Sequence, residues 1–292
     1  MRSLLFVPGD SDRKLEKALH TSCDVLIADL EDSVGLDKKE EARRVTAVFL
    51  EHARAHTKAR LFVRVNDLTS GLINDDLAGV MKAKPDGIML PKAEGGGDVA
   101  RLATALRVHE AEIGVADGQT RILPIITETA LGVLSAASYR NSSPRLCGLT
   151  WGAEDLSAHI GALTARHEDG SYTPLFQLAR SITLLAAAAA GVPAIDTVFP
   201  NFSDTEAFER ECRTAARDGF VAKMAIHPAQ IEPINDIFTP SAREVEEARA
   251  VVEAFSAAGN AGVVNIGGRM YDRPHLALAK RVLERAAQVS TV

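Results

Sequence analysis

A parallel (β/α)8 barrel of the TIM type followed by a C-terminal helical extension is the fold class the sequence predicts, on three observations. Short apolar runs, bounded by Gly, Pro or charged residues, alternate with longer stretches of helical spacing about eight times in succession. Several of these runs end in acids: 24–30 meets Glu31 and Asp32, 121–127 meets Glu128, and 145–151 meets Gly152-Ala-Glu-Asp155. A barrel whose parallel strands all finish on one rim gathers such ends on a single face. The third observation is length, because 292 residues suit one α/β barrel as well as two average domains. An open doubly wound sheet is the alternative with the same alternation.

In order, residues 3–7 read as the first strand, stopped by Pro8-Gly9, with Ser11 or Asp12 able to cap a helix to about 19. Residues 25–28 follow as strand and 38–55 as helix, then 61–65 as strand and 73–82 as helix. The fourth strand is 87–90, closed by Pro91-Lys92, and its helix runs from Asp98 to about 113. Residues 122–126 and 146–151 are the fifth and sixth strands, separated by a helix over 129–138. A loop at 167–172 leads into a helix over 174–190, with Gly191-Val-Pro193 as its stop. Residues 195–199 and 221–226 are the last two strands, with a helix over 204–218 between them. The barrel is assigned to 1–238. The remainder, 239–292, holds a helix from Ser241 to about 258, a glycine-rich stretch at 259–268 and a final helix to about 287.

Composition excludes several classes. A formal charge of −6 argues against a general nucleic-acid binder, which shows a basic face. Cys23, Cys147 and Cys212 lie far apart without CxxC spacing, so neither a disulfide framework nor a zinc site is indicated. The N-terminal apolar run is too short for a signal peptide, and the longest apolar stretch, 182–192, falls short of the ~20 residues that cross a bilayer. A soluble, cytoplasmic protein is expected.

On a barrel, the rim receives Glu31 and Asp32, Arg64, Lys92, Glu128, Asp155, Asn201 and His227 from successive strands, from the second to the eighth. Acids with an Arg and a Lys suit a hard cation beside an anionic substrate. Oxygen ligands fit Mg2+ or Mn2+, with Glu128 and Asp155 as the direct ligands and Glu31 and Asp32 holding metal-bound waters. The bland reading of each residue is a helix cap or a surface ion pair. Glu31 and Asp32 could simply pair with Lys38 or Lys39, and His227-Pro228 could be a turn. Joint placement at successive strand ends is what separate caps do not require.

These residues resemble the citrate lyase β-subunit-like family, which includes the malyl-CoA and citramalyl-CoA lyases of the wider HpcH/HpaI aldolase superfamily. The matching pieces are Leu5-Phe-Val-Pro-Gly9 with Arg13 and Lys17, Asp29-Leu-Glu-Asp-Ser-Val34, Val63-Arg-Val-Asn66, Leu90-Pro-Lys92 and Ile126-Thr-Glu-Thr129. They continue in the family's order with Gly152-Ala-Glu-Asp-Leu156, Lys223-Met-Ala-Ile-His-Pro228 and Met270-Tyr-Asp-Arg-Pro274. Two positions depart from the pattern: Ala222 replaces a Gly, and Met224 stands where a bulkier aromatic is common.

The resemblance implies a lyase that cleaves a β-hydroxyacyl-CoA to acetyl-CoA and a 2-oxo acid. It implies Mg2+ on Glu128 and Asp155, and Arg64 at a substrate oxygen beside Gly152, Ala153, Glu154 and Asp155. Glu31 and Asp32 support the chemistry, and Asp272, supplied from a neighbouring subunit, exchanges the proton at the acetyl carbon. Arg13, Lys17, Lys92 and Lys223 with Ile226, His227 and Pro228 are the residues implied for CoA. A homotrimer or hexamer follows, with the extension packed on a neighbour's active-site face. The alternatives are a citrate lyase β subunit acting on an acyl carrier protein thioester, a CoA-independent 2-oxo acid aldolase, and a non-catalytic subunit.

Overall fold

The computed structural model describes residues 1–259 and 261–290; Asn260 and residues 291–292 of the predicted extension lie outside the described residues. Strand and helix alternate as β1 (Ser3–Pro8), α1 (Asp12–Ala18), β2 (Val25–Asp29), α2 (Lys39–Ala53), β3 (Arg60–Arg64), α3 (Ile73–Val80), β4 (Gly87–Leu90), α4 (Gly96–Glu112) and β5 (Arg121–Pro124). They continue as α5 (Ala130–Leu134), β6 (Leu149–Thr150), α6 (Glu154–Ile160), α7 (Pro174–Ala190), β7 (Ala194–Asp196), α8 (Thr205–Asp218), β8 (Ala222–Ala225) and α9 (Ile231–Phe238). Every residue of β2, β4 and β8 is buried, as strands covered on both faces require.

All eight strands pair in parallel in the order β5-β4-β3-β2-β1-β8-β7-β6. Isolated bridges Ile122–Leu146 and Ile125–Thr150 then join β5 to β6. Across this seam the Ile126 amide donates to Thr150 O and the Ile122 amide to Arg145 O, each at 2.9 Å. The sheet closes on itself, which excludes the open doubly wound alternative. β6 is shorter than the expected 146–151 because Gly148 interrupts it: a Cβ there would lie 2.9 Å from Ile195 Cδ1.

The seam is reinforced from outside the barrel. Arg145 donates from Nη1 and Nη2 to Glu110 Oε1 and Oε2 at 2.8 and 2.6 Å, while the Thr120 and Gly118 amides donate to the same carboxylate at 2.8 and 3.0 Å. The end of α4, the entry to β5 and the chain just before β6 are thereby tied at one buried point.

The chain divides into two compact units, one over Arg2–Asn235 and one from Asp236 onward with Met1, so the division falls within α9 and not after residue 238. In the second unit, α10 (Ala242–Ala257), β9 (Val263–Ile266), β10 (Arg269–Asp272) and α11 (Arg273–Ser290) enclose a core of Ala248, Val251, Phe255, Val264 and Ala279. Ser241 and Glu244 form a capping box at the start of α10. β9 and β10 make an antiparallel hairpin absent from the sequence expectation. Its turn is Gly267-Gly268, at φ 56° and 80°, a left-handed pair that glycine adopts without strain. No helix of the described residues is long and apolar enough to cross a membrane.

Burial alone would raise Glu110, but Arg145 and the two amides hold it down at about 2. Its stabilising contribution is therefore complete above the usual carboxylate range and lost as pH falls toward 2. Glu110→Gln is expected to cost roughly 3 kcal/mol at pH 7, the lower end for a broken buried pair because Asp117 still faces Arg145. Urea unfolding at pH 7 and pH 3 checks this; a loss that is equal at both would show that the charge contributes nothing.

Candidate active site

The rim is built outward from Asp29, the last residue of β2. Arg64, the last of β3, donates from Nε and Nη2 to Asp29 Oδ1 and Oδ2, both at 2.7 Å, and its guanidinium lies 4.9 Å from the centroid of Phe6. The Glu31 and Ser33 amides donate to the same two oxygens at 3.0 and 3.2 Å, so one carboxylate folds the turn after β2 and orients Arg64. Lys39 holds the turn from beneath. Its Nζ donates to Leu30 O, Glu31 O and Asn66 Oδ1 at 2.7, 2.8 and 2.8 Å. This turn leaves the Glu31 side chain 2.9 Å from Arg64 Nη1, with Asp32 half-exposed at 3.7 Å.

From β4 comes Lys92, in the left-handed region at φ 51°, a conformation a non-glycine residue holds only when its surroundings impose it. Its amide donates to Glu128 Oε2, and its ammonium pairs with Glu31, with Asp155 at 3.2 Å and with Asp32 at 3.5 Å. Glu128 leaves β5 just before Thr129, whose hydroxyl accepts from the Gly132 amide at 3.0 Å and starts α5. Gly152 lies against it: a Cβ there would sit 2.8 Å from Glu128 Cγ, so only glycine lets the end of β6 approach this carboxylate. Ala153 precedes α6, and Glu154 and Asp155 occupy its first turn without capping it through their side chains, which removes the cap reading.

Glu31, Arg64, Lys92, Glu128 and Asp155 thus converge on one rim, as the sequence expectation placed them. Burial, then Asp155, pushes Glu128 up to about 8, and burial pushes Glu31 up to about 7 despite Arg64 and Lys92. Burial would lower Arg64 and Lys92, but the acids around them, Asp29 first for Arg64 and Glu31 first for Lys92, raise both and keep them cationic. Among the described residues no cationic side chain pairs directly with Glu128. Two repelling carboxylates, one buried, are the donor set that a divalent cation neutralises. A pair of carboxylates is the number of protein ligands that Mg2+ takes when waters or substrate oxygens complete its shell.

The other predicted residues lie outside this cluster. Lys223 is fully buried, and Nζ donates to Asp196 Oδ2, Thr197 O and Glu211 Oε1 at 2.7, 2.8 and 2.9 Å; a CoA phosphate cannot reach it. Lys92 pairs with three carboxylates of the acid cluster. Asn201 is exposed and bonds to Ser203, off the rim cluster. Arg13 and Lys17 are exposed one turn apart on α1. Ile226 is exposed, while His227 caps the turn at Pro228 by accepting from the Ala229 amide at 3.2 Å and stacks on Phe202 at 4.9 Å. Asp272, at the end of β10 in the second unit, pairs with His275, which lowers its pKa. Sequence reasoning gave no role to Asp29, although it lies inside a motif it singled out, and gave Lys39 only an ion pair with Glu31 or Asp32, where the structure has it on backbone carbonyls and Asn66; a charged residue two positions before the acids was the available signal.

A family model described as HpcH/HpaI aldolase/citrate lyase matches residues 2–228. The chain is 35% identical over 287 residues to the citrate lyase subunit beta of Leuconostoc mesenteroides subsp. cremoris, covering 98% of this chain and 93% of that protein. It is 34% identical over 296 residues to a (3S)-malyl-CoA thioesterase of Cereibacter sphaeroides, covering 99% and 95%. Among solved structures, the CitE protein of Mycobacterium tuberculosis in complex with magnesium, acetoacetate and coenzyme A superposes with a TM-score of 0.77 at 32% identity, over 98% of each chain.

Because Glu128 holds its proton more tightly folded than unfolded, its contribution to stability is complete below about pH 4.5 and lost as pH rises through about 8. In the presence of EDTA, Glu128→Gln is expected to be more stable than wild type at pH 8, on the order of 2 kcal/mol, and little changed at pH 4.5. Urea midpoints at the two pH values check this, and identical pH profiles would show that the carboxylate carries no such strain.

Proposed function

The chain belongs to the HpcH/HpaI aldolase/citrate lyase family, and from that premise we propose that it is a Mg2+-dependent carbon–carbon lyase. The reaction proposed is reversible cleavage of a β-hydroxyacyl-CoA, malyl-CoA or citramalyl-CoA first, to acetyl-CoA and glyoxylate or pyruvate. The observation that carries the reading is the convergence of Glu128 and Asp155, without a cationic partner on Glu128, beside an Arg64 fixed by Asp29. The relative that binds magnesium and coenzyme A together supports it.

Glu128 and Asp155 hold the ion, which when bound supplies a Lewis acid for the oxygens of the 2-hydroxy acid group. Arg64 faces the oxygen that becomes a carbonyl. Its two bonds to Asp29 leave it nothing to reorganise as charge develops there. Glu31 and Asp32 hold Arg64 and Lys92 by charge and take bound waters. The hydroxyl gives up its proton as the carbon–carbon bond breaks, and Asp272, in our reading supplied by the extension of a neighbouring subunit in a trimer or hexamer, gives one proton to the departing acetyl carbon; both transfers reverse in the condensation direction. Arg13, Lys17 and the turn at Ile226, His227 and Pro228 remain the groups for CoA.

Metal-dependent release of acetyl-CoA from malyl-CoA or citramalyl-CoA, compared with and without EDTA, tests the reading. Two further outcomes have relatives behind them. Free CoA and an intact hydroxy acid without acetyl-CoA would mark thioester hydrolysis, as in the (3S)-malyl-CoA thioesterase. Activity only on a carrier-protein citryl thioester would mark a citrate lyase β subunit. Asp272→Asn is expected to lower lyase turnover by about 100-fold or more while calorimetric binding of Mg2+ with 2-oxo acid is kept; unchanged turnover removes Asp272 from the reaction.

A further inference from the structure

The buried lysine that CoA cannot reach belongs to a closed circuit of six side chains. Lys223 on β8 spends its three protons on Asp196, Thr197 O and Glu211. Asp196 Oδ1 accepts from Trp151 Nε1 at 2.8 Å. Trp151 meets Tyr172 edge-on, with centroids 5.0 Å apart. Arg166 lies over Tyr172, Cζ 3.9 Å from the ring centroid, and pairs with Glu211 Oε2 at 2.6 Å, which returns the circuit to Lys223. Two cations of the circuit face its two anions, and Arg180, paired with Asp218, adds a third cation 3.9 Å from Asp196 Oδ1.

Packing alone does not call for such a circuit, since well-packed apolar side chains fill a buried site at no loss of stability. What the circuit fixes is position. Trp151 is fully buried and immediately precedes Gly152, the residue that packs on Glu128, and Asp155 follows within the same turn of chain. Arg166 and Tyr172 also form the one bridge pair inside residues 161–173, the long connection between α6 and α7. Leu163, within that connection, is fully exposed, so the connection has little apolar burial of its own to hold it.

We propose that this circuit is a positioning device of the active site. It anchors the Trp151 indole and so sets the Gly152–Asp155 backbone opposite Glu128, it clamps 161–173 against the end of β6, and Lys223 is its hub. The inference rests on the reading of Glu128 and Asp155 as the cation ligands. Trp151 is the chain's single tryptophan, so intrinsic fluorescence reports the circuit directly.

The test uses the full chain and Arg166→Gln, a partly exposed member whose loss leaves Glu211 still paired with Lys223. Acrylamide quenching of Trp151 emission in EDTA is expected to rise, and Mn2+ binding, counted as free ion by electron paramagnetic resonance, to weaken about tenfold. Arg166→Lys, which keeps the charge facing Glu211, should recover part of both. A lowered melting temperature with quenching and Mn2+ binding equal to wild type would overturn the proposal, as would increased quenching with unaltered Mn2+ binding. If Arg166→Gln does not fold, Tyr172→Leu opens the same circuit and is read the same way. Absence of Mn2+ binding in the wild type would remove the metal reading, and this role with it, before any variant is made.

Discussion

The bidentate pair between Asp29 and Arg64 is the contact on which the rim depends. Asp29 is buried at the end of β2, where an unpaired carboxylate would cost several kcal/mol, and the guanidinium that neutralises it comes from the neighbouring strand end. The same two oxygens take the Glu31 and Ser33 amides, so the pair also dictates the path of the chain beyond β2. Glu31 is thereby set beside Arg64 and Lys92, and Lys92 reaches on to Asp155. One buried pair therefore propagates through four strand ends.

Two of the buried charge clusters in the barrel unit do different work. Around Glu128 the charges are unbalanced: burial and a neighbouring acid push the carboxyl up, the condition expected where a site awaits a cation. Around Lys223 each charge faces an opposite one and the ammonium has three acceptors, the condition of a cluster that holds shape. Lys92 and Lys223 illustrate the contrast, since both are lysines of family motifs, yet one faces acids at the open rim and the other is sealed beneath it.

Much of this was legible in the sequence because strand ends are punctuated. Pro91, Thr129 and Gly152 stand where strands stop, and the acids next to them are the ones the barrel gathers. What sequence could not show was commitment. Lys223 and Arg64 look alike as cations near strand ends; only the fold shows that Asp196 and Glu211, on β7 and α8, consume one of them entirely. Asp29 was hidden for the opposite reason, because an acid at the end of an apolar strand reads as the start of the acidic turn and not as its anchor. The β9–β10 hairpin was legible in principle, from Gly267-Gly268 between apolar runs, but the glycine-rich context masked its two-residue period.

The seam between β5 and β6 bears on how the barrel behaves as a mechanical object. Seven of the eight strand junctions are continuous ladders, while this one is two isolated bridges beside a two-residue strand. That joint relies on the buried Arg145–Glu110 pair as well as on its backbone hydrogen bonds. Glu128 leaves the barrel on one side of that joint and Asp155 on the other. Anything that binds both acids therefore bridges the joint, so that whatever it gains from the pair also holds the two sides of the ring together.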